Sequence, residues 1–111
     1  MSLSEIQAEL YKEYKANGYA DMWEAADRAC SRIGLGRIGT LAEIGLITSE
    51  AAEAMEHVRE PSLNPEMGEE LIDIIIRTLN CMTRLGFNAN PILEAKNHKN
   101  LTRGRLHGRA I

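Results

Sequence analysis

Four carboxylates stand out by their spacing. Glu50-x-x-Glu53 and Glu70-x-x-Asp73 each place two acids three residues apart, with sixteen residues between the pairs. On a helix such a pair shares one face, one turn apart. Two antiparallel helices joined by a short loop can bring two such pairs opposite each other. Carboxylates gathered in this way repel one another unless cations sit among them. Oxygen-only donors suit a hard ion, Mg²⁺ or Mn²⁺, rather than zinc. Mg²⁺ favours a few carboxylates plus substrate phosphates. Held so, it can activate a water and neutralise charge building on a phosphoryl group. Acids at this spacing are also common on solvated helix faces, so neither pair specifies a metal by itself.

A second constellation lies near the C-terminus: Lys96-x-x-x-Asn100-x-x-Arg103, followed by Leu106-His107-Gly108-Arg109. A Lys, an amide and an Arg one turn apart can grip phosphate oxygens. A solvated basic end is the plainer account of the same residues. From Ala95 to Ile111 there are five Lys/Arg and no acid, whereas the preceding 94 residues carry 8 Lys/Arg against 16 Asp/Glu. An acidic body with a basic tail binds duplex DNA poorly, since the phosphate backbone wants a basic face. It does suit cations in the body and anionic groups at the tail.

The elements that must position these residues read as helices. Ser2-Leu3-Ser4-Glu5 has the form of a capping box, and its helix runs to about Ala16, where Asn17-Gly18 stops it. A second helix spans Ala20 to about Ile33 and ends in Gly34-Leu35-Gly36-Arg37-Ile38-Gly39. Thr40-Leu41-Ala42-Glu43 reads as another capping box, opening a helix to about Arg59. After the loop at Glu60-Pro61-Ser62-Leu63, Asn64 caps a helix with Pro65 in its first position, where a missing N–H costs nothing. That helix runs to about Leu85, and Gly86 ends it. Asn90-Pro91 repeats the start for a last helix to about Asn100, and the rest reads as an irregular tail.

Helical projection places Ile44, Ile47, Ala51, Ala54, Met55 and Val58 on one apolar arc of the 40–59 helix, with Glu43, Glu50, Glu53 and His57 on its flank. The 65–85 helix is apolar over most of its girth, through Met67, Leu71, Ile72, Ile74, Ile75, Ile76, Leu79, Met82 and Leu85. Its narrow polar stripe holds Glu66, Glu70, Asp73, Arg77, Asn80 and Arg84. Such a helix needs cover on several sides, and one short chain has few helices to give, so the pattern predicts an oligomer. The 111 residues, 44% hydrophobic and 26% charged, are read as one all-α domain over 1–111. No apolar run approaches the ~20 residues of a membrane span. No secretory signal is visible. Two cysteines make no disulfide framework, which fits a reduced, cytoplasmic setting.

Taken in order, these motifs resemble a family. Glu50-x-x-Glu53 and Glu70-x-x-Asp73, set within Leu46-Ile47-Thr48-Ser49-Glu50-Ala51-Ala52-Glu53-Ala54-Met55-Glu56 and Glu69-Glu70-Leu71-Ile72-Asp73-Ile74-Ile75-Ile76-Arg77, look like the signature of the MazG-type all-α nucleoside triphosphate pyrophosphohydrolases. The Lys96, Asn100, Arg103 row and the closing His107-Gly108-Arg109 look like the tail of its short, single-domain members. The resemblance covers about residues 40–109. It implies an antiparallel bundle of about five helices, completed by forming a homodimer or homotetramer. It implies Mg²⁺-dependent hydrolysis of a (deoxy)nucleoside triphosphate to the monophosphate and pyrophosphate. Glu50, Glu53, Glu70 and Asp73 would be the catalytic metal ligands, and Lys96, Asn100 and Arg103 would hold the phosphates. Two rival readings share the scaffold: a phosphoribosyl-ATP pyrophosphohydrolase, and a non-catalytic oligomerisation or regulatory module.

Several features admit blander readings. Gly34-x-Gly36-x-x-Gly39 spells a dinucleotide fingerprint but lacks the preceding strand, and reads as a connector or a mobile flap. Trp23 is either a core or interface residue or a platform for a nucleobase. His57 is a surface or hydrogen-bonded histidine unless it approaches the cations, and His98 and His107 lack zinc-ligand spacing. Arg77 is placed to bind and orient Asp73 or to reach a phosphate. Cys81 reads as core. Gly45, inside a long helix, costs ~1 kcal/mol relative to Ala and marks a close approach or a kink.

Overall fold

The structure is a computed structural model that describes residues 1–103. Five helices follow one another: α1 (Leu3–Ala16), α2 (Tyr19–Arg32), α3 (Ile38–His57), α4 (Pro65–Arg84) and α5 (Ala89–Thr102). No strand occurs among the described residues. No helix there is long and apolar enough to cross a membrane. The His107-Gly108-Arg109 close and the irregular tail read from the sequence lie outside the described residues.

Local chemistry accounts for most helix ends. Ser2 caps α1 through a complete capping box with Glu5, and Asn17 and Gly18, the latter at φ 83°, end it. Asn64 Oδ1 accepts from the Met67 N–H at 3.0 Å, with Pro65 behind it as the first residue of α4. Gly86, at φ 86°, takes the chain out of α4 in the left-handed region that favours glycine.

Two starts differ from the sequence reading because tertiary partners replace local caps. Helix α3 begins at Ile38 with Arg37 as its N-cap residue, so Thr40 and Glu43 form no capping box. Both are turned inward instead, onto residues of α2 and α4. Helix α5 begins at Ala89 with Asn88 as its N-cap residue, two residues before the Asn90-Pro91 start read from the sequence. Its first N–H groups are met by α1: Ala89 N donates to Gln7 Oε1 at 2.8 Å and Asn90 N to Ser4 Oγ at 3.2 Å.

Helix α3 packs most extensively on α4; α2 covers α3, α1 contacts α4 and α2, and α5 docks mainly on α1. Arg77 of α4 meets Glu50 of α3, and seven residues further along α4 Arg84 meets Glu43, seven residues back on α3. The two helices therefore run antiparallel, with rungs one heptad apart.

The interior is small and unusually polar. The buried apolar residues among those described are Ala20, Ala54, Leu79, Cys81 and Ala89, and as many polar ones, Gln7, Asp27, Thr40, Glu43 and Asn80, lie beside them. The expected apolar arc of α3 is split: Ala54 is buried, Ile47 and Ala51 are half-buried, and Ile44, Met55 and Val58 are exposed. On α4, Leu71, Ile72 and Ile75 each keep about half their surface open. The radius of gyration, 16.7 Å, exceeds the ~13 Å expected of a compact chain of this length.

Candidate functional site

The α3–α4 pair gathers three of the four expected acids. One carboxylate oxygen from each of Glu50, Glu53 and Glu70 lies within 4.8 Å of the others. Glu50 and Glu53 stand one turn apart on α3, and the antiparallel register swings Glu70 of α4 onto them. Glu53 is exposed, while Glu50 and Glu70 are half-buried. Asp73 does not join this group; it lies one turn beyond Glu70 and lines two adjoining cavities.

Electrostatically the cluster is unfinished. Arg77 Nε donates to Glu50 Oε1 at 3.1 Å, so its partner is Glu50 and not the expected Asp73. That single cation faces three acids. Glu70 Oε2 is buried with no hydrogen-bond partner, as follows when only acceptors surround it. The neighbouring Glu50 first, then burial and Glu53, favour the protonated form of Glu70 and push its carboxyl up to about 7. A divalent cation would serve the same need without the proton. The donor set is all oxygen, as a hard ion requires, and an orphaned oxygen is available to it.

Beside the acids lies a cavity of about 300 Å³ lined by Tyr14, Tyr19, Trp23, Asp73, Arg77 and Asn80. The rings of Tyr14 and Tyr19 stack with centroids 5.5 Å apart. Trp23 Nε1 donates to the Tyr14 hydroxyl at 2.7 Å, which itself donates to Glu43 at 2.5 Å. Burial, and then the bond to Glu43, hold that hydroxyl's pKa well above the ordinary tyrosine value. The Tyr14 hydroxyl and the Trp23 N–H are thus engaged with each other and with Glu43, and all three aromatics line the cavity. Asn80 Oδ1 is buried in the wall without a partner.

One heptad from the acid cluster sits a network that the sequence reading did not single out. Arg84, 1% exposed, donates to Glu43 at 3.0 Å, Glu24 at 2.6 Å and Thr40 at 2.7 Å, and lies 3.4 Å from Asp27. Asp27 also accepts from the Thr40 N–H at 2.8 Å and hydroxyl at 2.6 Å. Burial raises the Asp27 pKa, but the Thr40 and Arg84 contacts outweigh it and leave the carboxyl below its usual value. Burial likewise opposes the charge of Arg84, and Glu43 and Glu24 more than restore it. Cys81 is buried against Glu43, its thiol pushed up to about 12 by burial first. The heptad arithmetic linking Glu43 to Glu50 and Arg77 to Arg84 was the signal available in the sequence.

The remaining residues fall in place as follows. Lys96 is exposed on α5, Arg103 is exposed as its C-cap residue and Asn100 is half-buried; α5 docks mainly on α1 rather than on the α3–α4 pair. His57 Nδ1 lies 3.3 Å from Glu60 Oε1, a local contact one turn beyond Glu53. His98 is exposed. Gly45 has open space around it, whereas Gly39 marks the close approach: a Cβ there would meet Trp23 O at 2.4 Å. Comparison of the chain with protein-family models, with curated proteins and with solved structures gives no match.

Proposed function

We propose that this chain is a Mg²⁺-dependent nucleotide pyrophosphohydrolase of the MazG type, acting on a (deoxy)nucleoside triphosphate. The observation that carries the reading is the convergence of Glu50, Glu53 and Glu70 within 4.8 Å around an orphaned carboxylate oxygen. In this reading these three hold Mg²⁺, with Mn²⁺ able to replace it, and Asp73 stands at the border with the aromatic cavity. The bound ion supplies charge neutralisation on the phosphates and a more acidic water. The water oxygen bonds to the α-phosphorus, the bond from that phosphorus to the α–β bridging oxygen breaks, and pyrophosphate leaves. A glutamate of the cluster takes the water's proton. The faces of Tyr14, Tyr19 and Trp23 support the base, and Lys96, Asn100 and Arg103 hold phosphate oxygens. The exposed Ile72, Ile75 and Met55 favour a homodimer or homotetramer, since contiguous apolar surface seeks cover.

The test is pyrophosphate release from canonical and modified NTPs and dNTPs, with Mg²⁺, Mn²⁺ and EDTA arms. Release that requires the metal and yields the monophosphate is expected. Glu53→Gln and Asp73→Asn should each lower turnover by about a hundredfold or more with the helical circular-dichroism spectrum intact. Full activity in both variants sinks the assignment.

A further inference from the structure

A different cavity, of about 510 Å³, opens where α2 turns into α3, and its walls include Arg28, Arg32 and Arg37. It shares no residue with the acid cluster. Arg84, at its floor, lies fourteen residues beyond Glu70 on α4, which is about 21 Å of helix. The acids of its wall, Glu24 and Asp27, are both engaged by Arg84. Arg28, Arg32 and Arg37 have no ion-pair partner among the described residues. Among the described residues these three guanidiniums stand without ion pairs around one hollow, where four arginines outnumber the three acids Glu24, Asp27 and Glu43.

Helix stability does not explain this placement. Arg28 and Arg32 sit at i, i+4, where like charges oppose each other. Arg32, in the last turn of α2, does suit the negative end of the helix dipole. Arg37 is the N-cap residue of α3, at the positive end, with no side-chain cap and no acid in the first turn. The turn that carries Arg37 back is firmly built. Gly34, at φ 78°, closes a Schellman motif, with Leu35 N donating to Cys30 O at 2.9 Å and Gly34 N to Ser31 O at 3.1 Å. Ser31 Oγ then donates to Gly36 O at 3.1 Å and ties the loop to the helix. The glycine run is thus a connector that fixes a third arginine opposite the first two.

We propose that this cavity binds the diphosphate group of a small molecule, with Arg28, Arg32 and Arg37 as its ligands. Guanidiniums match phosphate oxygens in charge and fork geometry. A single phosphate, with about two negative charges at neutral pH, leaves one arginine unmatched; a diphosphate engages all three. The site needs no divalent ion and stands whether or not the carboxylates are catalytic.

The test is calorimetric titration of the full chain in EDTA with inorganic pyrophosphate, beside a nucleoside diphosphate. Saturable binding of pyrophosphate is expected in the wild type, in Glu50→Gln and in Lys96→Gln/Arg103→Gln. Arg28→Gln/Arg37→Gln should weaken it by about tenfold or more. All three arginines are exposed, so these variants should keep the wild-type melting curve. Comparable or tighter binding of the nucleoside diphosphate identifies a larger ligand gripped by its diphosphate; binding of pyrophosphate alone identifies the free ion. No binding at millimolar pyrophosphate by the folded wild type, or loss in the Lys96/Arg103 variant with none in the Arg28/Arg37 variant, overturns the proposal.

Discussion

The two arginine–glutamate rungs of the α3–α4 pair are built from the same residue types, seven residues apart, and behave oppositely. Around Arg84 three carboxylates, Glu24, Asp27 and Glu43, converge on a guanidinium that is 1% exposed, beside Glu43 at 3%. Around Arg77 three carboxylates also converge, but the arginine is 39% exposed and reaches only Glu50. Position explains the contrast. Helix α2 packs beside the first rung and contributes Glu24 and Asp27, so α2, α3 and α4 all supply partners to Arg84. The second rung lies where α2 has ended its cover, and its acids face one another. Each cluster sets three carboxylates against one arginine, but the first is bound up in hydrogen bonds from a buried guanidinium, whereas the second is partly open and leaves a Glu70 oxygen without a partner.

The contrast breaks most visibly when each arginine is removed. Arg84→Met leaves buried carboxylates unpaired and should cost about 3–5 kcal/mol in urea unfolding. Arg77→Met removes a partly exposed contact and should cost less than about 1 kcal/mol. Similar losses in both variants would show that the rungs are equivalent after all.

Protons and cations sharpen it further. The Glu70 carboxyl, ordinarily at 4.5, stands at about 7 in the fold. A raised acid pKa means that the folded chain holds an extra proton across that window. Without divalent ions the contribution of Glu70 to stability is therefore full below about 4.5 and falls as pH rises toward 7. Asp27 runs the other way: its lowered pKa contributes above the ordinary carboxylate range and is lost as pH falls through the lowered value. In the proposed reading a bound cation would displace the Glu70 proton, so Mg²⁺ should raise the melting temperature more at pH 8 than at pH 5.5. Glu70→Gln should abolish that difference, and an Mg²⁺ response equal at both pH values would contradict it.

The smallest effects concern two glycines of α3. Gly39→Ala presses a methyl group against the Trp23 carbonyl and should cost about 1–3 kcal/mol. Gly45→Ala, in open space, should stabilise the helix by up to about 1 kcal/mol. Equal signs in the two melts would refute this reading of the helix packing.

Which features were legible in the sequence follows from how local their causes are. Ser2 with Glu5, and Asn64 with Pro65, act within four residues, and both caps form as spelled. Thr40-x-x-Glu43 has the same spelling but different partners, because Arg84 and Asp27 reach it from other helices. Asn90-Pro91 likewise yields to Gln7 and Ser4, more than eighty residues away. At the acid cluster, i, i+3 spacing announced which residues share a face, and Glu50, Glu53 and Glu70 meet. It said nothing of which cation each acid meets, since Arg77 chooses Glu50 through the register between helices. The Lys96 row belongs to α5, whose docking on α1 no local pattern encodes.

Gln7 carries one consequence for how the chain is made. Its amide donates to Phe87 O at 2.7 Å and accepts from Ala89 N at 2.8 Å, and the residue is buried. Helix α1 is synthesised before α5, yet its buried amide finds both partners only after more than eighty further residues have been added. At roughly 5–20 residues per second, that is a wait on the order of 4–16 s. The finishing contact of α1 is thus timed by synthesis of the start of α5, and a nascent chain stalled before residue 87 holds an α1 whose buried glutamine has neither partner.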